Sequence, residues 1–235
     1  MDVFGLTSPA FREVRGTVSC PAGTVPLGGG GFVQSGSTQV AIASTFPTPD
    51  GWVTDVDNES DADTVFDVRA TCARKPPNYA IVQSAPTLVP PGAQGAAFAV
   101  CPKGSRTLGG GGFWDTSGTE LRLASSFPGP FSWDVSGANT TLLASRLTAF
   151  AVCGTIRGYQ LVFGFTSLLD VGQTPVTNTC FAPRVPLSGG AFIDSTSTLV
   201  SLNSTVAAGT GWTSWVNNAT GAGVNVEPIV VCAGT

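Results

Sequence analysis

The chain is 235 residues long, room for one large β domain or two small ones with a substantial buried core. Charged residues make up 11% and the net charge is −4, against about 25% charged residues in ordinary soluble domains, so the surface is mostly uncharged and polar. The 11 Lys and Arg are scattered, which leaves no basic footprint for nucleic acid, and no apolar run nears the roughly 18 residues of a membrane span; neither partner is expected.

Taken in order, the chain repeats itself. An extended run at Val3-Phe4-Gly5 precedes a block that opens at Cys20 and closes at Cys72. The polar join Lys75-Pro76-Pro77 leads into a second run, Tyr79-Ala80-Ile81-Val82, and a block from Cys101 to Cys153. After Gly154-Thr155-Ile156-Arg157 a third run, Tyr159-Gln160-Leu161-Val162, precedes a block from Cys180 to Cys232. Each cysteine pair is 52 positions apart, so no insertion separates the blocks internally. In register with them recur Leu27, Leu108 and Leu187; Gly29, Gly110 and Gly189 with Gly30, Gly111 and Gly190; Phe32, Phe113 and Phe192; Ser44, Ser125 and Ser204; Trp52, Trp133 and Trp212; and Asn58, Asn139 and Asn218. Three copies therefore tile the chain at 1–76, 77–157 and 158–235.

Within each copy the runs are short, rich in β-branched and aromatic residues and broken by Gly, Pro, Asn and Ser, which reads as strands. Gln39 to Phe46, Thr64 to Cys72, Ala96 to Cys101, Glu120 to Phe127 and Arg146 to Cys153 are the clearest. About six strands per copy predict one small sheet per copy, covered by the other two copies. The fold class expected is all-β: three repeats of antiparallel sheet in a β-prism-like pseudo-threefold arrangement that shelters the sheet edges.

Whatever one copy does with its cysteines the others should do, which favours Cys20–Cys72, Cys101–Cys153 and Cys180–Cys232, one disulfide per copy. The chain has no histidine and no C-x-x-C knuckle, so zinc is not expected. Three disulfides imply an oxidising destination, extracellular or on a virion surface. Met1-Asp2-Val3-Phe4 lacks the basic start and apolar core of a secretory signal. Either a signal peptide is removed and Met1 stands in its place, or the chain is made in a cytoplasm and released by lysis, as phage virion proteins are.

The segments Cys20-Pro21-Ala22-Gly23-Thr24-Val25-Pro26-Leu27-Gly28-Gly29-Gly30 and Cys101-Pro102-Lys103-Gly104-Ser105-Arg106-Thr107-Leu108-Gly109-Gly110-Gly111, with the later Trp, Asn and closing cysteine, resemble repeat units of secreted actinobacterial proteins and of some phage proteins. More distantly the pattern resembles the vitelline membrane outer layer protein fold, a β-prism of three sheets around a pseudo-threefold axis. The resemblance implies architecture and hardly any function. Copy three departs from it, with Cys180-Phe181-Ala182-Pro183 at the opening and Ser188-Gly189-Gly190-Ala191 for the glycine run.

Candidate sites each have a bland counterpart. The tetraglycine runs Gly28 to Gly31 and Gly109 to Gly112 lack the Lys-Ser or Lys-Thr and the helix of a phosphate loop, which favours a bulge or a close crossing of strands. Trp52, Trp133 and Trp212 suit either three sugar-stacking platforms around an axis or one core pocket per copy. Trp114 and Trp215 lack counterparts in the other copies and read as surface or interface residues. Asp55, Asp57, Glu59, Asp61 and Asp63 offer oxygen ligands for calcium, although a solvated hairpin loop without EF-hand spacing explains them as well; no other cofactor is suggested. Asp115, Asp134 and Asp194 are the carboxylates available to a glycosidase pair. With no histidine the commonest general base is missing, and no catalytic residue is assigned. Asn58, Asn139, Asn203 and Asn218 sit in Asn-x-Ser/Thr sequons that turn formation explains. The expected function is thus non-enzymatic: a surface-exposed β module for adhesion or carbohydrate binding, with a glycan or other protein subunits as partner. The alternative is a structural coat, decoration or tail component of a phage particle or extracellular assembly.

Overall fold

The computed structural model describes residues 1–234 and is built of strands without helices among them. Copy one supplies β1 (Asp2–Ser8), β2 (Arg12–Ser19), β3 (Val25–Val33), β4 (Val40–Thr48), β5 (Gly51–Asn58) and β6 (Thr64–Ala73). Copy two supplies β7 (Ala80–Gln83), β8 (Thr87–Val89), β9 (Ala93–Val100), β10 (Arg106–Trp114), β11 (Leu121–Pro128), β12 (Ser132–Asn139) and β13 (Ser145–Gly154). Copy three repeats that set as β14 (Gln160–Phe163), β15 (Ser167–Leu169), β16 (Gly172–Thr179), β17 (Val185–Asp194), β18 (Val200–Ala208), β19 (Gly211–Asn218) and β20 (Val224–Ala233).

The strands form three antiparallel sheets, ordered β1-β6-β3-β18-β19-β16, β2-β5-β4-β10-β13-β7 with β8 also on β13, and β14-β20-β17-β11-β12-β9 with β15 also on β20. We call these sheets A, B and C. The expectation of one sheet per copy is corrected: each copy is split between two sheets, and each sheet is shared by two copies. The reason lies in the glycine strands. A Cβ on Gly30, Gly111 or Gly190 would stand 1.9, 1.8 and 1.8 Å from the carbonyl oxygens of Thr205, Thr45 and Ser126 in a neighbouring copy. At those points the copies join, through Gly31 to Thr205, Gly112 to Thr45 and Ala191 to Ser126. Only glycine permits so close a backbone crossing.

Just before each crossing the strand carries a bulge, between Pro26 and Gly28, Thr107 and Gly109, and Pro186 and Ser188. The residues at these bulges meet in a cycle. Gly28 abuts the carbonyl of Leu187, Gly109 that of Leu27, and Ser188, the departure in copy three, donates its hydroxyl to Leu108 O at 2.5 Å. Leu27, Leu108 and Leu187 are all buried there.

Each disulfide ties the two halves of its own copy, and hence two sheets. Cys20–Cys72, Cys101–Cys153 and Cys180–Cys232 have Cα separations of 5.7, 5.6 and 5.8 Å. In the chain-entropy treatment, closing a loop of this size is worth about 4 kcal/mol. No cysteine is free among the described residues, and the three bridges point to an oxidising, extracellular environment. No helix is long and apolar enough to cross a membrane.

Candidate ligand-binding face

The tryptophans shared by the copies lie inside. Trp52, Trp133 and Trp212 are 1%, 2% and 3% exposed. Their ring N–H groups donate to Thr45 Oγ1, Ser126 Oγ and Thr205 Oγ1 at 2.8, 2.9 and 2.7 Å. Each ring lies where the Cβ of Gly29, Gly110 or Gly189 would otherwise stand. Of the two readings, platform or pocket, the rings fill pockets, and the stacking-platform expectation is corrected: no sugar reaches a ring sealed against a glycine strand. Trp114, expected at the surface, is also buried, with its ring over Gly137. Trp215 is half-buried on the outer face of sheet A, edge-on to Phe32 at 5.1 Å.

The acidic run is not one loop. Asp55 and Asp57 lie within β5, where they alternate with the inward Thr54 and Val56, and both are buried. Asp55 accepts Arg15 Nε and Nη2 at 2.7 and 2.8 Å. Asp57 accepts Arg122 Nε and the Glu120 N–H, each at 3.2 Å, and Glu59 pairs with the same guanidinium. Asp61 is exposed in the turn, and Asp63 accepts the Ala10 N–H at 3.0 Å. The calcium expectation is corrected accordingly. Strand alternation and arginine pairing disperse these oxygens, and among the described residues no three His, Cys, Asp or Glu gather as metal ligands.

The sequon asparagines are tied into the scaffold. Asn139 donates to Val89 O and Leu143 O at 2.9 and 2.8 Å and accepts from the N–H and hydroxyl of Thr141. Asn58 and Asn218 repeat this knot with Ser60 and Thr220, and Asn203 donates to Val40 O at 2.9 Å. All four are buried.

Of the three carboxylates considered for catalysis, Asp115 follows β10 in sheet B, held by the Arg146 N–H at 2.9 Å. Asp134 and Asp194 are on sheet C, on β12 and β17, with β11 between those strands. Asp134 belongs to a row that runs across the outer face of this sheet. The ladder sets it directly between Phe98 on β9 and Phe127 on β11, and the Phe127 ring meets Phe192 on β17 at 5.3 Å between centroids. Beyond Phe192 the ladder reaches Glu227. Phe98 and Phe192 are 64% and 39% exposed. With Ala96, Ser125 and Ser136 these residues line a hollow of ≈ 380 Å³, and a second hollow of ≈ 290 Å³ continues from Ala96, Ser136 and Phe192 to Gln94, Asp194, Ser195 and Thr196. Burial between the rings raises the affinity of the Asp134 carboxylate for its proton, against the opposing hydrogen bond from Ser132.

The pseudo-symmetry supplies an internal control. The row Phe98, Asp134, Phe127, Phe192 becomes Thr17, Val53, Phe46, Phe113 on sheet B and Thr177, Thr213, Val206, Phe32 on sheet A. Ala96 and Ser136, whose small side chains leave the hollow open, become Arg15 and Asp55, a bidentate ion pair, and Pro175 and Trp215. Two of the three faces are thus filled and one is open. The sequence offers Asp134 only as a carboxylate for a glycosidase pair and does not single out Phe98, since at these positions the other copies carry Val53 and Thr213, and Thr17 and Thr177. The alternation Ala97-Phe98-Ala99-Val100, with large residues on the exposed side, was the available signal.

Searched against known protein families and against curated proteins, the chain matches none.

Proposed function

We propose that the protein is a non-enzymatic carbohydrate-binding module of a cell or virion surface, and that it binds through the outer face of sheet C. The observation that supports this reading is the carboxylate of Asp134 flanked by the exposed ring of Phe98 and the ring of Phe127. Aromatic faces pack on the C–H surface of a sugar ring, while a fixed carboxylate accepts hydrogen bonds from its hydroxyls; a mostly apolar concavity with few polar groups is what small-ligand sites require. The strands that carry the two rings are fixed by the sheet ladder, so the backbone of the site needs no ordering on binding.

The test is a glycan array probed with the wild type and with Phe98→Ala, a substitution on an exposed side chain that leaves the core intact. Signal for defined glycans that the variant loses, with an unchanged melting temperature, supports the reading. Signal that survives the variant places binding elsewhere.

A structural role in an assembly is the second reading, favoured by one observation. At the corner of β14 and β15, Phe163, Phe165, Leu168 and Phe181 are 53%, 95%, 69% and 64% exposed, a cluster that a neighbouring subunit would cover. Co-sedimentation with particles at fixed copy number in electron micrographs, with no glycan signal, would replace the first reading by this one.

A further inference from the structure

Resting on the carbohydrate reading, we infer that this face selects a linear oligosaccharide carrying protonated amino groups, a cationic glycan, over neutral or anionic ones. The two hollows share Ala96, Ser136 and Phe192 and so form one groove along β9 and β12. From the Asp134–Phe98 pair to the Ala138–Gln94 pair it covers four residues of strand, roughly 14 Å at ~3.4 Å per residue, which is more than one sugar ring.

Both ionisable groups that line the groove are acids. Asp134 stands at one end and Asp194 at the other; outside the hollows, the ladder places Glu227 beside Phe192 and Arg122 beside Ala138, the latter already paired with Asp57 and Glu59. Among the described residues no Lys or Arg lines either hollow. On sheet B the matching place is already occupied by a cation: Arg15 lies opposite Asp55 and over the Phe46 ring at 5.8 Å. The same face on sheet C keeps the rings but has Ala96 and Ser136 where the arginine and its carboxylate would be, and its own carboxylate, Asp134, stands one outward pair further along the ladder. An ammonium group of a ligand, set against Asp134 between Phe98 and Phe127, would give this carboxylate a cationic partner, attracted both by the carboxylate and by the negative ring faces. An anionic sugar would meet Asp134 and Asp194, and Arg122 beyond the Ala138 end is already taken up by Asp57 and Glu59.

Calorimetric titration with three tetrasaccharides decides the matter: tetraglucosamine with free amines, its fully N-acetylated form, and cellotetraose. The expected result is that tetraglucosamine binds at least about tenfold tighter than the other two, that added salt weakens it, and that Asp134→Asn removes the preference. Equal binding of the acetylated or neutral tetramer overturns the selection for charge while leaving carbohydrate binding intact. Binding of none of them, together with a glycan array that lights only for other sugars, overturns the inference alone, and a silent array removes both. Tight tetraglucosamine binding that Asp134→Asn and Asp194→Asn leave unchanged overturns the groove as its site.

Discussion

Asp57 should make the protein more stable in mild acid than at neutral pH, because its burial outweighs its pairing with Arg122. It lies fully buried at the joint between copies one and two, with Oδ1 unpartnered. The charged groups around it are Arg122 and Glu59, with Glu13 opposite it in the ladder. Its carboxyl is pushed up to about 7 from 3.8: burial is the main cause and Glu59 adds to it, while the attraction of Arg122 and the hydrogen bonds from Glu120 N–H and Arg122 offset this only in part. Because the folded-state value lies above the unfolded one, the folded chain binds the extra proton between about pH 4 and 7. The contribution is therefore fully present below pH ~4 and is lost as the pH rises through ~7.

At about 1.4 kcal/mol per pK difference of one, the whole effect is at most ~4 kcal/mol, of which roughly 2–3 kcal/mol falls between pH 8 and pH 5. That corresponds to a rise in melting temperature of about 4–10 °C on acidification for a chain of this size. Asp57→Asn keeps an acceptor for Glu120 N–H and Arg122 but cannot titrate, so its melting temperature should be nearly flat over the same range, apart from the smaller responses of Glu13 and Asp134, which burial also raises. Thermal melts of both proteins at half-unit pH steps measure this. A wild type that melts lower at pH 5 than at pH 8, or a variant with the same slope as the wild type, would refute the assignment.

Two further substitutions test the scaffold. Gly111→Ala drives a methyl onto the Thr45 carbonyl, 1.8 Å away in another copy, and should destabilise by about 3 kcal/mol or more; Gly36→Ala, which meets nothing within 4 Å, should be near neutral in the same denaturant titration. Asn139→Ala leaves the buried Val89 carbonyl without its partner and unties the Thr141 turn, which should lower stability by about 2–3 kcal/mol, read from the shift in urea midpoint.

Much of the scaffold was legible because it repeats. The cysteine spacing, the glycine strands and the alternation of Gln39 to Phe46 or Arg146 to Cys153 each appear more than once, and a pattern seen in register across copies is stronger than any single run. The division of each copy between two sheets was not legible. It depends on where Gly112 meets Thr45 and Ala191 meets Ser126, single-residue junctions between copies that leave no local pattern. The same holds for Asp57, whose partner Arg122 is 65 residues away in the next copy; a charge run in one copy looks like a loop until the arginine that neutralises it is found. Trp114 misled for a different reason. An unrepeated tryptophan suggests the surface, yet alternation along β10 sends this one inward over Gly137.

The positions that recur and the proposed binding face are therefore different sets, and the geometry says why. Leu27, Gly30, Trp52, Asn58 and their counterparts each satisfy a contact of the threefold frame: an axial bulge, a backbone crossing, a pocket over glycine, a loop knot. Substituting one of them costs stability whatever the ligand, so repetition at these positions reports the scaffold. Ala96, Phe98, Asp134 and Ser136, outward on β9 and β12, carry no such constraint, since they line the open face of the sheet. They are free to differ among copies, and they do: an ion pair at Arg15 and Asp55, a tryptophan at Trp215, and an open aromatic groove around Asp134 occupy equivalent places. In a pseudo-symmetric chain of this kind, the residues most informative about ligand are those at which one copy breaks register in composition while keeping register in backbone. Phe98, Asp134, Ala96 and Ser136 meet that criterion together, on one face.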